Sequence, residues 1–255
     1  MAKGPGSRPG DATDASQDET SMSTLRTAAD VFVSPSRGLA SAADARSIVA
    51  PLVSATIISI LVTLLFVPRV DFGKTISDSL DRKPETAAQM TPHQREEAVT
   101  QGAKVGRVLA YAAGVLVPAG TALIVAFFLF VAFRVAGAQP PFAPTLAVAS
   151  WGLLPGYVKA ILGIPAILRQ GTIDPRTAER LLPTNPAAFF PAEATGVHVR
   201  LLSALDLFTL WSLALVILGT AHVAQVSKAR AATVVVVLWL AWVAISKVAL
   251  GGMAS

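Results

Sequence analysis

The chain has 255 residues, of which 53% are hydrophobic, 15% charged and none cysteine, with a formal net charge of +5. Mean hydropathy is +0.58, and the charged share is well below the roughly 25% usual for soluble domains. These values exclude an ordinary water-soluble enzyme, a disordered chain and a disulfide scaffold, and leave an integral membrane protein. The basic residues are spread over several loops without interleaved aromatics. They read as topology signals or lipid headgroup contacts, not as a nucleic-acid groove.

Residues 1–30 are Gly/Pro/Ser/Asp-rich and nearly free of large apolar side chains, so they are predicted to be a disordered tail. The tail has no apolar core of the signal-peptide kind, and the first span is the expected entry into the membrane. Val31–Leu39 is too short to span and too apolar for a free linker. It predicts an interfacial helix starting near Pro35 and capped by Ser34.

The predicted membrane domain covers residues 31–250, with five spans at about 47–67, 108–133, 144–168, 201–226 and 231–250. The fold class is therefore all-α, a polytopic membrane protein with five transmembrane helices. Each charge-poor stretch meets the roughly 20 residues needed to cross about 30 Å of hydrocarbon. Pro51 sits in the first turn of span one, where its missing N–H costs little. Thr91-Pro92-His93-Gln94 predicts a capped helix start leading into span two, and Pro118 and Gly120 predict a bend or tilt within it. Pro155, Gly156 and Gly163 interrupt span three. Asp174-Pro175 is a candidate cap of a short helix, and Phe189-Phe190 a candidate interfacial dip. Ser227–Arg230 is a tight turn forcing the last two spans into an antiparallel hairpin.

Orientation rests on short loops. With the N-terminus inside, eight Lys/Arg lie inside and eleven in the two long outer loops, but those loops also carry nine carboxylates. The two short turns carry only positive charge, through Arg134, Lys228 and Arg230, which favours a cytoplasmic N-terminus.

Lys159, Asp206 and Lys247 are the charges within spans away from their outermost ends. Each is a functional candidate, because an unpaired charge in the bilayer costs several kcal/mol. Counting along the helices puts all three in the outer halves of their spans, as a candidate cluster. Three readings stand open. Asp206 caps the fourth helix while Lys247 snorkels to headgroups; an ion pair fixes helix register; or the cluster moves a small solute or ion. Gly152–Gly156 has small-xxx-small spacing with a proline inside, which points to a kinked helix packed within the monomer. No histidine pair has metal-ligand spacing, and no nucleophile elbow, Walker loop or intramembrane aspartate pair occurs. No catalytic residue, metal or cofactor is predicted.

Taken together, these segments resemble the Ypt-interacting protein (Yip) domain family in its bacterial branch. The resemblance lies in Val31–Arg37 with Pro35, the Ala50-Pro51-Leu52 entry and Met90–Gln94. It continues in Leu205–Leu213 with Asp206, Phe208 and Trp211, then Gly219, the Ser227–Arg230 turn and the valine-rich last span. It implies a five-helix membrane domain with a cytoplasmic N-terminus in a bacterial inner membrane. The implied role is non-enzymatic, organising the bilayer, other membrane proteins or further copies of itself. Eukaryotic relatives bind Rab-type GTPases. Their Asp-Leu-x-Gly-Pro landmark is replaced here by Asp206-Leu207-Phe208-Thr209-Leu210, so GTPase binding is not carried over.

Overall fold

The computed structural model describes residues 26–82, 84–174, 178, 181–191, 194 and 196–249. Most of the expected tail, and Pro175 of the proposed Asp174 cap, lie outside them. The described residues form helices joined by turns, with a single isolated bridge between Val70 and Ile173. Residues 26–33 form α1, followed by α2 (Pro35–Asp44), α3 (Val49–Phe66), α4 (Phe72–Asp81) and α5 (Pro84–Ala88). Then come α6 (Pro92–Val135), α7 (Phe142–Gly152), α8 (Leu154–Arg169), α9 (Val197–Ala204), α10 (Leu207–Val223) and α11 (Lys228–Val243), the last running into a π-helical turn, Ala244–Ala249.

Four helical stretches are long and apolar enough to cross a membrane: Val49–Arg69, Pro92–Val135, Phe142–Arg169 and Lys228–Lys247. The α9–α10 pair, bent by 50° at a short break, makes a fifth when taken as one broken span. The fold is thus an all-α, multi-pass bundle. Within the fourth stretch predicted at about 201–226, the chain breaks at Leu205–Asp206, where Asp206 caps a new helix. The break has a local cause: an aspartate accepts hydrogen bonds from the first helical N–H groups and so starts a new helix.

α6 carries the capping box predicted at its start. Thr91 Oγ1 accepts from the Gln94 N–H at 3.2 Å, and Gln94 Oε1 accepts from the Thr91 N–H at 2.9 Å. The helix stays continuous through Pro118 and Gly120. Its first 16 residues, Pro92–Arg107, extend beyond the charge-free span by roughly 24 Å at 1.5 Å per residue. α4 packs against this extension, with Phe72 over Gly106 and Ile76 over Gly102.

The segment before the first span forms the helix expected from Pro35 and more: α1 and α2 make a helical hairpin seated against α10 and α7. Pro35 does occupy the first turn of α2, but the Ser34 side chain makes no cap hydrogen bond. At one end of the hairpin Asp44 Oδ1 lies 3.0 Å from His222 Nε2. At the other, Phe32 packs edge-on against Trp211, with ring centroids 5.5 Å apart. Those α10 residues are separated by roughly 16 Å of helix rise, so the hairpin runs along most of α10. Val31, Leu39 and Ala42 are fully buried there with Trp151, Leu154 and Leu215. Gly38 makes the hairpin possible, since a Cβ at that position would sit 2.3 Å from the Val31 backbone nitrogen.

α7 is the centre of the bundle, with every residue from Thr145 to Gly152 buried. Its contact with α10 is reciprocal. A Cβ on Gly152 would lie 2.6 Å from Val216 Cγ2, and one on Gly219 would lie 2.5 Å from Val148 Cγ1. Each glycine is the hole for the other helix's valine, which brings the two backbones close. Gly156 has nothing within 4 Å of its would-be Cβ, so only the first glycine of the Gly152–Gly156 pair packs, and it packs within the monomer. Trp151 Nε1 donates to the Ser47 carbonyl at 2.8 Å, fixing α7 to the entrance of α3.

Candidate functional site

Asp206 lies at the break between α9 and α10, and it is 3% exposed. Its two oxygens divide their work. Oδ1 accepts from the Phe208 N–H at 3.0 Å and so caps α10. Oδ2 accepts from Lys159 Nζ at 2.7 Å and from Thr184 Oγ1 at 2.5 Å. The Thr184 carbonyl in turn accepts from the Leu207 N–H at 3.0 Å. A buried carboxylate is therefore surrounded by a cation, a hydroxyl and a main-chain donor, which is how a buried charge avoids its desolvation penalty.

Each partner reaches this position for its own reason. Lys159 is five residues into α8, past the α7–α8 junction at Leu153, with its side chain 27% exposed. Thr184 comes from the loop after α8, just before the short 3-10 turn Pro186–Phe189. The node therefore joins α8, the loop that follows it and the α9–α10 pair. Of the three predicted charges, Lys159 and Asp206 come together. Lys247 is instead placed against α9, where its carbonyl accepts from Arg200 Nε at 3.0 Å, and it is not among the hydrogen-bond or ion-pair partners of Asp206. Asp206 thus caps α10 and pairs with Lys159 through one side chain.

The remaining landmarks are structural. Pro51 is buried in the first turns of α3. Phe208, 7% exposed, packs beside Trp211 with centroids 6.3 Å apart. Trp211 receives Phe32 of the hairpin, and Gly219 receives Val148. Phe189 is 79% exposed at the end of its 3-10 turn, while Phe190 lies near the His198 ring. Among the described residues no group of His, Cys, Asp and Glu has the arrangement of a metal site. Two surface grooves, of about 410 and 500 Å³, lie along α6, and neither is lined by Lys159, Asp206 or Lys247.

Thr184 had no signal in the sequence, because a loop threonine acquires meaning only when the fold carries it to Asp206. The cap could be read locally, from an aspartate directly ahead of an apolar helical run.

A multi-pass helical bundle with a bent fourth span held by a buried ion pair defines a polytopic membrane protein. The sequence model of the Yip1 domain matches residues 29–249, most of the chain, and the protein belongs to that family. No curated protein and no solved structure matches it.

Proposed function

We propose that this protein is a non-enzymatic membrane organiser of the Yip type, acting through its helices and outer loops on partner membrane proteins or on further copies of itself. The observation that carries the proposal is the state of its intramembrane charge. Asp206 is engaged by Lys159, Thr184 and the α10 backbone, an arrangement suited to holding helices in register and not to releasing a solute or ion. Membership of the Yip1 domain family supports the same reading. The proposed setting is a bacterial inner membrane with the N-terminus in the cytoplasm, supported by the basic residues Arg134, Lys228 and Arg230 at the two short turns.

Three experiments test this. Cross-linking in native membranes, followed by purification of the full chain, is expected to recover the same membrane-protein partner, or a dimer, in replicate preparations. Recovery of neither, or solute flux in reconstituted vesicles that is abolished in Asp206→Asn, would sink the organiser reading. Because the chain has no native cysteine, single cysteines at Ser36 and Ser79 report orientation directly. An impermeant maleimide should label Ser79→Cys and not Ser36→Cys in intact spheroplasts. The reverse pattern inverts the topology.

A further inference from the structure

We propose that the groove between α4 and the base of the α6 extension is a binding site for the phosphate of an anionic phospholipid. Lys104 and Arg107 are three residues apart on α6 and so share a face. They line the groove of about 410 Å³ together with Gly73, Val99, Ala103 and Val108. The groove thus has two cations in a lining that is otherwise apolar except for Thr100.

Its position matches that composition. Arg107 is the last charge before the uncharged stretch Val108–Phe133, so the cations stand where α6 enters the hydrocarbon. Beyond them on the same face of α6, the groove-lining Val108 is 62% exposed and Val115 is 50% exposed. A headgroup held by the cations would leave its acyl chains lying along these side chains, inside the bilayer. A free phosphate would use the cations and leave the apolar lining uncovered, so a membrane lipid is the occupant that fits both.

The charge is available. Among the described residues, Lys74, Lys104 and Arg107 take part in no ion pair, in contrast to Lys159 with Asp206 and Arg95 with Asp81. The carboxylate at the groove's edge, Asp71, has its Oδ1 committed to the Lys74 N–H at 2.8 Å, capping α4. The second groove, along Gln89, Gln94, Glu97 and Gln101, has an acidic residue and no cation. The cationic character is therefore local to the membrane edge. Gly73 keeps the groove open: a Cβ there would lie 3.9 Å from Val99 and a tight 3.3 Å from Asp71 Oδ1, and no backbone atom is among these near contacts, so a larger side chain would occupy the groove while pressing on the α4 cap.

The test is native mass spectrometry of the full-length protein in detergent, titrated with phosphatidylglycerol or phosphatidylcholine. One phosphatidylglycerol is expected to bind well ahead of phosphatidylcholine. Lys104→Gln/Arg107→Gln should weaken it about thirtyfold, the value of two interfacial cations at about 1 kcal/mol each. Gly73→Leu keeps every charge but fills the groove, and is expected to lose the bound lipid. Equal binding of the two lipids, or unchanged phosphatidylglycerol binding in the double-glutamine variant, would overturn the proposal. Displacement of the lipid by equimolar glycerol phosphate would also overturn it, by assigning the groove to a soluble phosphoester. The glutamine changes are on an exposed helix face, so the outcome does not depend on Gly73→Leu folding.

Discussion

Helices α6 and α7 are joined by a six-residue turn, yet they are built for opposite surroundings. α7 buries eight of its eleven residues and places two neighbouring backbones within reach of one another through Gly152, Val148 and their α10 counterparts. α6 buries only six of 44, turns large apolar side chains such as Leu116, Phe127 and Phe128 outward, and then continues as a polar rod. α7 is solvated by protein; α6 is solvated by lipid and then by water. In a bilayer burial of apolar surface does not separate these cases, because lipid is as apolar as a leucine core. What separates them is small residues and satisfied polar groups at α7 against bulk and free charge on α6.

That contrast orders the expected effects of substitution. Asp206→Ala should be the most damaging, at about 3–5 kcal/mol, since it strands Lys159 and removes the α10 cap together. Thermal unfolding of the detergent-solubilised protein would show it. Lys159→Met/Asp206→Ser removes the charge pair but keeps a capping oxygen, and should be markedly milder than Asp206→Ala. If it is not, the pair contributes more than neutralisation. Gly219→Leu should cost about 1–3 kcal/mol by overpacking, with partial recovery on adding Val148→Ala. Independent, additive effects would mean that α7 and α10 do not meet there.

Changes on α6 should be smaller and more local. Thr91→Ala removes the capping box for about 1 kcal/mol, and hydrogen exchange should report fraying confined to the first turns of α6. Gly120→Ala is expected to stabilise slightly, by about 0.5–1 kcal/mol, because nothing lies within 4 Å of the added Cβ and alanine is the better helix former. A loss of stability at Gly120 would show that this face meets a protein partner instead of lipid.

The sequence made the spans legible because a run of uncharged residues is a local property, and so was the Thr91–Gln94 cap. The break at Asp206 was half legible: the aspartate announced a helix start, but the apolar run on both sides masked the 50° bend. The α1–α2 hairpin was not legible. Its two helices are too short for a hydropathy signal, and what buries them is Trp151, Trp211 and Leu215, which lie more than 100 residues along the chain. The Lys159–Asp206 pair was among the arrangements counting allowed, whereas helix counting could not distinguish it from a cluster that also included Lys247.

The seat of that hairpin has a consequence for how the protein is made. Asp44 and His222 are 178 residues apart in sequence, and the chain emerges from its N-terminus first. Val31, Leu39 and Ala42 therefore leave the ribosome long before α10 exists to receive them. Once α7 is made, half of the hairpin's seat exists, but the α10 half is missing until late in synthesis, so docking is completed only after α10 is in place. The earliest residues of the domain are among the last to reach their native positions, and the docked hairpin marks a bundle whose insertion has run through α10.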